Sequence, residues 1–136
     1  MRYLLDTNTL IYIINARPKH QRVLDRFAAE EARGVVVSSI SLAELRYGIA
    51  KSEKRETSRD ALERIIAALT IINFDAGAAE RYGELRAALE IKGKTIGPLD
   101  ALIAAHALSL NLILVTNNTR EFARVRGLKI ENWLTN

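Results

Sequence analysis

Short, mainly apolar runs recur at "YLL" (3–5), "VVVS" (35–38), "LTII" (69–72) and "LILV" (112–115), and between them apolar residues return at helical intervals. Strands buried on both faces read as continuous apolar runs, and strands alternating with helices imply right-handed crossovers and a parallel sheet. The spacing predicts helices over 9–15, 19–32, 41–51, 54–68, 76–92, 98–109 and 119–124, with a last short strand at 128–131. Pro18 breaks the chain after Arg17, Gly34 is placed to end the second helix, and Gly97-Pro98 opens the sixth. The polar tract "KSEKRETSRD" (51–60) suits either a loop or the solvent face of two helices.

Composition narrows this α/β reading. A chain of 136 residues suits one domain, residues 1–136, around one core. Without cysteine, disulfides, thiolate zinc sites and thiol catalysis are excluded, and a reducing cytoplasm is the expected location. The N-terminal apolar run is cut off by Asp6, too early for a signal sequence, and the run 101–115 is interrupted and too short to span a bilayer. Lys and Arg total 20 against 16 Asp and Glu, a balance that suits a polyanionic partner, more so if some acids are gathered in a site.

The acids carry the chemistry. In parallel α/β sheets, sites form at the carboxyl ends of strands, where acids that follow strands or open helices can meet. Asp6 follows the first strand, Glu44 lies just beyond the second, Asp100 opens the sixth helix and "TNN" (116–118) follows "LILV". Innocent readings stand beside each. Asp6 suits an Asx turn, "SLAE" a capping box with Ser41 as N-cap and Glu44 reaching back, and "NTRE" a second box with Asn118 and Glu121. Asp100 is harder to explain away, because its helical neighbours Ile103, Ala104 and Ala107 are apolar and no Lys or Arg occurs between Lys94 and Arg120. A carboxylate there needs a cation or a basic residue from another segment. All-oxygen donors with no Cys or His at ligand spacing favour Mg²⁺, or Mn²⁺, and such acidic clusters serve phosphodiester chemistry.

With those residues in hand, the chain resembles the PIN-domain ribonucleases, specifically the VapC toxins of bacterial VapBC toxin–antitoxin pairs. The resemblance rests on "YLLDTN", "SSISLAELRYGI", "GPLDALIAAHAL" and "LILVTNNTREFARVRGLKIENW", in order over nearly the whole chain. It implies a three-layer α/β/α sandwich, an endoribonuclease site in which Asp6, Glu44 and Asp100 bind metal, and supporting roles for Thr7, Asn8, Thr116 and Glu121. Asn118 stands where many of these domains have an aspartate, which makes it a candidate catalytic residue and leaves three core acids rather than four. The resemblance also implies an RNA substrate, a homodimer and a VapB-type antitoxin that covers the acidic groove. "TNNTREF" looks like that of enteric members associated with cleavage of initiator tRNA.

Arg46 and Arg120, each near an acid in sequence, are candidates to hold RNA phosphates. Leu42, Leu45, Ile49, Ile65, Ile66 and Leu69 suit either a partner-facing surface or the core. A rival site would pair the two histidines, His20 and His106, for metal-free cleavage through the 2′-hydroxyl, and His106 equally suits a hydrogen-bonded core position. A catalytically silent PIN-like module that binds RNA or protein is the alternative from another class.

Overall fold

The computed structural model describes residues 1–135. Five strands, β1 (Tyr3–Leu5), β2 (Val35–Ser38), β3 (Thr70–Ile72), β4 (Ile113–Val115) and β5 (Ile130–Glu131), form one parallel sheet in the order β3-β2-β1-β4-β5. Strand β1 lies at the centre, with Leu5 opposite Val37 on one side and Val115 on the other. Seven helices surround the sheet: α1 (Thr7–Ile14), α2 (His20–Glu30), α3 (Ser39–Ala50), α4 (Arg55–Ala68), α5 (Ala76–Ile91), α6 (Pro98–Ser109) and α7 (Thr119–Phe122).

Period-two alternation divides the core in two. Leu4, Val36 and Leu114 point to one face and meet Leu85 and Leu89 of α5 and the Ala101–Ala107 stretch of α6. Tyr3, Leu5, Val35, Val37 and Val115 point to the other and meet Leu10, Val23, Leu45 and Leu62 from α1 to α4. With both faces covered, the inner strands β1, β2 and β4 have no polar side to show, which is why they read as apolar runs. The result is the expected three-layer α/β/α sandwich. Leu45 is buried in the second cluster and Leu42, Ile49, Ile65, Ile66 and Leu69 pack against it, so these six side chains serve the core.

Most predicted elements form with ends shifted by one or two residues, and the shifts have local causes. Helix α3 starts at Ser39 because Ser38 caps it, its hydroxyl accepting from the Ile40 N–H at 3.1 Å. The expected capping box at Ser41 and Glu44 is therefore absent, since both lie inside the helix. Likewise α1 starts at Thr7 because Asp6 is its N-cap. The 51–60 tract divides into a turn and the start of α4. After α2 a 3₁₀ turn (Glu31–Arg33) ends at Gly34, whose φ of 93° and carbonyl, accepting from both Arg2 and Tyr3 N–H, seat the start of β1. A Cβ there would stand 2.9 Å from Met1 Cα, so only glycine fits. Among the described residues no helix is long and apolar enough to cross a membrane.

Candidate active site

The chain leaves β1 towards β2 in one direction and later returns to add β4 on the other, so the switch in strand order falls between β1 and β4. Open α/β sheets place their sites outside the carboxyl ends of the strands at such a point. Asp6, immediately after β1, donates its N–H to the Val115 carbonyl at 3.0 Å, which fixes it beside the end of β4. Its side chain is 2 % exposed. Oδ1 accepts from the Thr9 N–H at 2.8 Å, the N-cap bond of α1. The Thr116 hydroxyl accepts from the Asn118 N–H at 2.9 Å, so its own proton is free to turn towards the Asp6 carboxyl, which it pulls down.

Glu44, one turn into α3, meets Thr7 of α1, the Thr7 hydroxyl donating to Oε1 at 2.7 Å. That hydroxyl also lies 3.0 Å from Ser41 Oγ. A hydroxyl carries one proton and an ionised carboxylate has none, so Ser41 donates to Thr7 and Thr7 to Glu44. Ser41, fully buried, is thus a supporting residue that sequence reasoning took for a helix cap.

Asp100 occupies the first turn of α6, behind Gly97 and Pro98. Its carboxyl is pushed up to about 6, first by burial and then by the negative charges of Glu121, Asp6 and Glu44. Asp6 is raised as well, mainly by burial and against the pull of its hydrogen bonds, with Glu44 adding repulsion. Glu121 goes the other way, because the Gly97 N–H (3.0 Å to Oε1) and the Asn118 amide (2.7 Å to Oε2) hold its charged form. Four carboxylates, from the N-cap of α1 and from α3, α6 and α7, therefore feel one another, and Asp6, Glu44 and Asp100 have no ion pair among the described residues. No three of the Asp, Glu and His side chains among those residues stand close enough to close around a single ion.

Several expected residues sit differently. Asn118 is the N-cap of α7 by position only: its side chain caps nothing and its amide is spent on Glu121, which makes Glu121 the fourth acid of the cluster. Arg46 lies two residues past Glu44, more than half a turn round the helix, and pairs with Glu63 of α4 at 2.7 Å, so it is not aimed at the acids. Asn8 is exposed and makes no side-chain hydrogen bond among the described residues, and Arg120 is exposed too. The histidines cannot act as a pair. His20 belongs to α2, on the face opposite α6, and bonds the Arg17 carbonyl. His106 is buried, its Nδ1 2.8 Å from Ser38 Oγ and its ring edge-on to Phe74.

Two outcomes follow from the charges. Asp100, raised when folded, contributes stability that is full below about pH 4 and is lost as pH rises through about 6. His106, held neutral by burial, slopes the opposite way over the same range, so the quantity to measure is the difference between wild type and Asp100→Asn. In EDTA, the Asp100→Asn protein should gain melting temperature over wild type at pH 7 and lose most of that gain at pH 4.5. A constant difference across that range would mean that Asp100 is not held at a raised value. Asn118→Asp would set two carboxylates 2.7 Å apart and is expected to lower metal-free stability by about 1 kcal/mol, more than Asn118→Ser.

An all-parallel sandwich with an acid cluster at its switch point marks the class of α/β domains with an acidic site at the strand ends, and comparison with known proteins gives the family. Residues 3–128 match the PIN domain family. The ribonuclease VapC2 of Rickettsia felis is 46 % identical over 134 residues, covering 98 % of each chain, and the tRNA(fMet)-specific endonuclease VapC of Shigella flexneri is 41 % identical over 133 residues, again 98 % of each. The crystal structure of Rickettsia felis VapBC2 bound to a DNA fragment from its promoter superposes with a TM-score of 0.92 at 42 % identity, covering 98 % of this chain and 99 % of that one. The chain belongs to the PIN-domain family, among the VapC ribonucleases of toxin–antitoxin pairs.

Proposed function

We propose that this protein is a Mg²⁺-dependent endoribonuclease, the toxin of a VapBC pair, which cuts a structured RNA in a single-stranded loop. The observation that carries the reading is the coupled set of Asp6, Glu44, Asp100 and Glu121 at the switch point, with the first three lacking any cationic partner among the described residues. Repelling, half-buried carboxylates are a poor structural device and a good seat for a hard cation. The donor set fits: all oxygen, no thiol, no imidazole. Mg²⁺ binds through one or two carboxylates and keeps several waters, so it does not require three acids closed around it. Asp6, Glu44 and Asp100 would hold the ion, one or two of them directly and the rest through its waters, and when bound it would supply acidified water and neutralise charge developing on phosphate. Mn²⁺ is a substitute.

The chain's own part is positional. Thr116 and the Thr9 N–H aim Asp6, the Ser41–Thr7 relay aims Glu44, and Glu121 with Asn118 ties α7 to the Gly97 segment that carries Asp100. Water oxygen bonds to phosphorus, the P–O3′ bond breaks and the leaving oxygen takes a proton, giving a 5′-phosphate and a 3′-hydroxyl. In-line attack needs a splayed backbone, which a loop allows and a stacked helix resists. The finer reading is the anticodon region of initiator tRNA, supported by the name of the Shigella relative. A VapB-type antitoxin is the proposed partner, since the superposed Rickettsia structure is a VapBC assembly. A homodimer acting in the cytoplasm completes the reading.

The test is incubation of purified protein with a tRNA(fMet) transcript in MgCl₂ and in EDTA, with the new ends mapped. Cutting in MgCl₂ alone, with 5′-phosphate ends in the anticodon loop, is the expected result. Cutting that persists in EDTA or leaves 2′,3′-cyclic phosphate would overturn the metal mechanism. An intact tRNA alongside cleaved messenger RNA would overturn only the choice of substrate. No cleavage of any RNA would favour the silent binding module.

A further inference from the structure

A second charged feature lies outside the acid cluster. A groove of ≈ 220 Å³ runs between α5 and the segment that follows α7, walled by Arg81, Glu84 and Lys92 on one side and by Arg124 and Arg126 on the other, with Leu108 in its floor. Four cations face one carboxylate. Glu84 reaches Arg81 only at 3.9 Å, with both side chains exposed, a pair worth little in water. Lys92 and Arg126 have no ion pair among the described residues. Arg124 donates one N–H to the Thr95 carbonyl at 2.9 Å, which leaves other guanidinium N–H groups to give.

We propose that this groove seats the phosphate backbone of the RNA whose loop the acid cluster cuts, an inference that rests on the ribonuclease reading. Uncompensated cations lining a groove gain by releasing the counterions of a polyanion. Continuity with the acids selects RNA over an acidic protein segment. Arg124 grips Thr95, two residues before Gly97, and the Gly97 N–H is held by Glu121, the largest charge acting on Asp100. The wall thus runs directly into the segment that positions the cutting end. From Arg81 to Lys92 the α5 wall extends about 16 Å, longer than a single nucleotide needs. The groove therefore holds RNA flanking the loop while the loop itself enters the acids.

The experiment measures the affinity of a fluorescein-labelled tRNA(fMet) transcript by anisotropy across a KCl series, in an Asp100→Asn background so that nothing is cut. Lys92→Gln with Arg126→Gln should weaken binding several-fold at low salt and reduce the slope of log affinity against log salt by about 1 to 2. Arg59→Gln with Arg64→Gln, two exposed cations of α4, removes the same charge from another surface and should leave the slope as it was. A slope unchanged by the groove pair, or lowered equally by the α4 pair, overturns the groove while leaving the ribonuclease reading intact. A parent protein that neither binds nor, with Asp100 restored, cuts RNA overturns both.

Discussion

Asp100→Asn should reduce RNA cleavage by on the order of 100-fold or more while the protein stays folded. The amide keeps the shape of the carboxyl and removes a negative charge from a site where Glu121, Asp6 and Glu44 already repel it, so the loss falls on the chemistry and not on the fold. The matched experiment at Asp6 separates two roles held by one side chain. Asp6 both belongs to the cluster and caps α1 through the Thr9 N–H. Asn is as good an N-cap as Asp, so Asp6→Asn should lose cleavage and keep stability, whereas Asp6→Ala should lose cleavage and about 1 kcal/mol besides. Cleavage assays beside thermal melts read both quantities. Wild-type cutting by Asp100→Asn would remove that residue from the site.

Trp133→Ala is expected to cost about 3–5 kcal/mol, enough to leave the protein largely unfolded in mild urea. The indole, 2 % exposed, packs edge-on to Tyr3 of the central strand at 5.2 Å. Its N–H donates to Glu131 Oε1 at 3.1 Å, and the Arg26 guanidinium lies over the ring at 5.3 Å while bonding the same carboxylate at 2.9 Å. One residue thus locks the chain's last turn to β1, β5 and α2. Trp133→Phe keeps the ring and loses the N–H, so urea unfolding should show a smaller loss. A cost below about 1 kcal/mol for the alanine variant would show the terminal segment to be dispensable.

The sheet was legible because its inner strands are buried on both faces and so are written as apolar runs, and the helices because their periodicity is regular. Asp6 and Asp100 stood out for the same reason in reverse, as carboxylates in apolar surroundings. What failed was direction. Ser38, Ser39 and Ser41 are all plausible caps in a sequence, and only the end of β2 decides that Ser38 caps α3 while Ser41 turns inward to Thr7. Arg46 is close to Glu44 along the chain and faces away from it on the helix. Glu121 was read as an accessory because its partner, the Gly97 N–H, lies 24 residues away. The histidine pair fails because the sheet separates α2 from α6, a division that no local pattern records.

The central place of β1 also governs when the site comes into being. Asp6 is made well before Thr116 and Glu121, yet the pull of the Thr116 hydroxyl on its carboxyl and the neighbouring charge of Glu121 come from that later part of the chain. At ~5–20 residues per second of synthesis, roughly 6 to 23 s separate Asp6 from Glu121 on the ribosome. The parallel pairing of β1 with β4 is non-local and slow to form in any case. A nascent chain therefore carries its first acid, and later its second and third, without the segment that completes the cluster. The four acids thus come together only once Glu121 has been made, and the cluster is a late product of folding although its first member is made early.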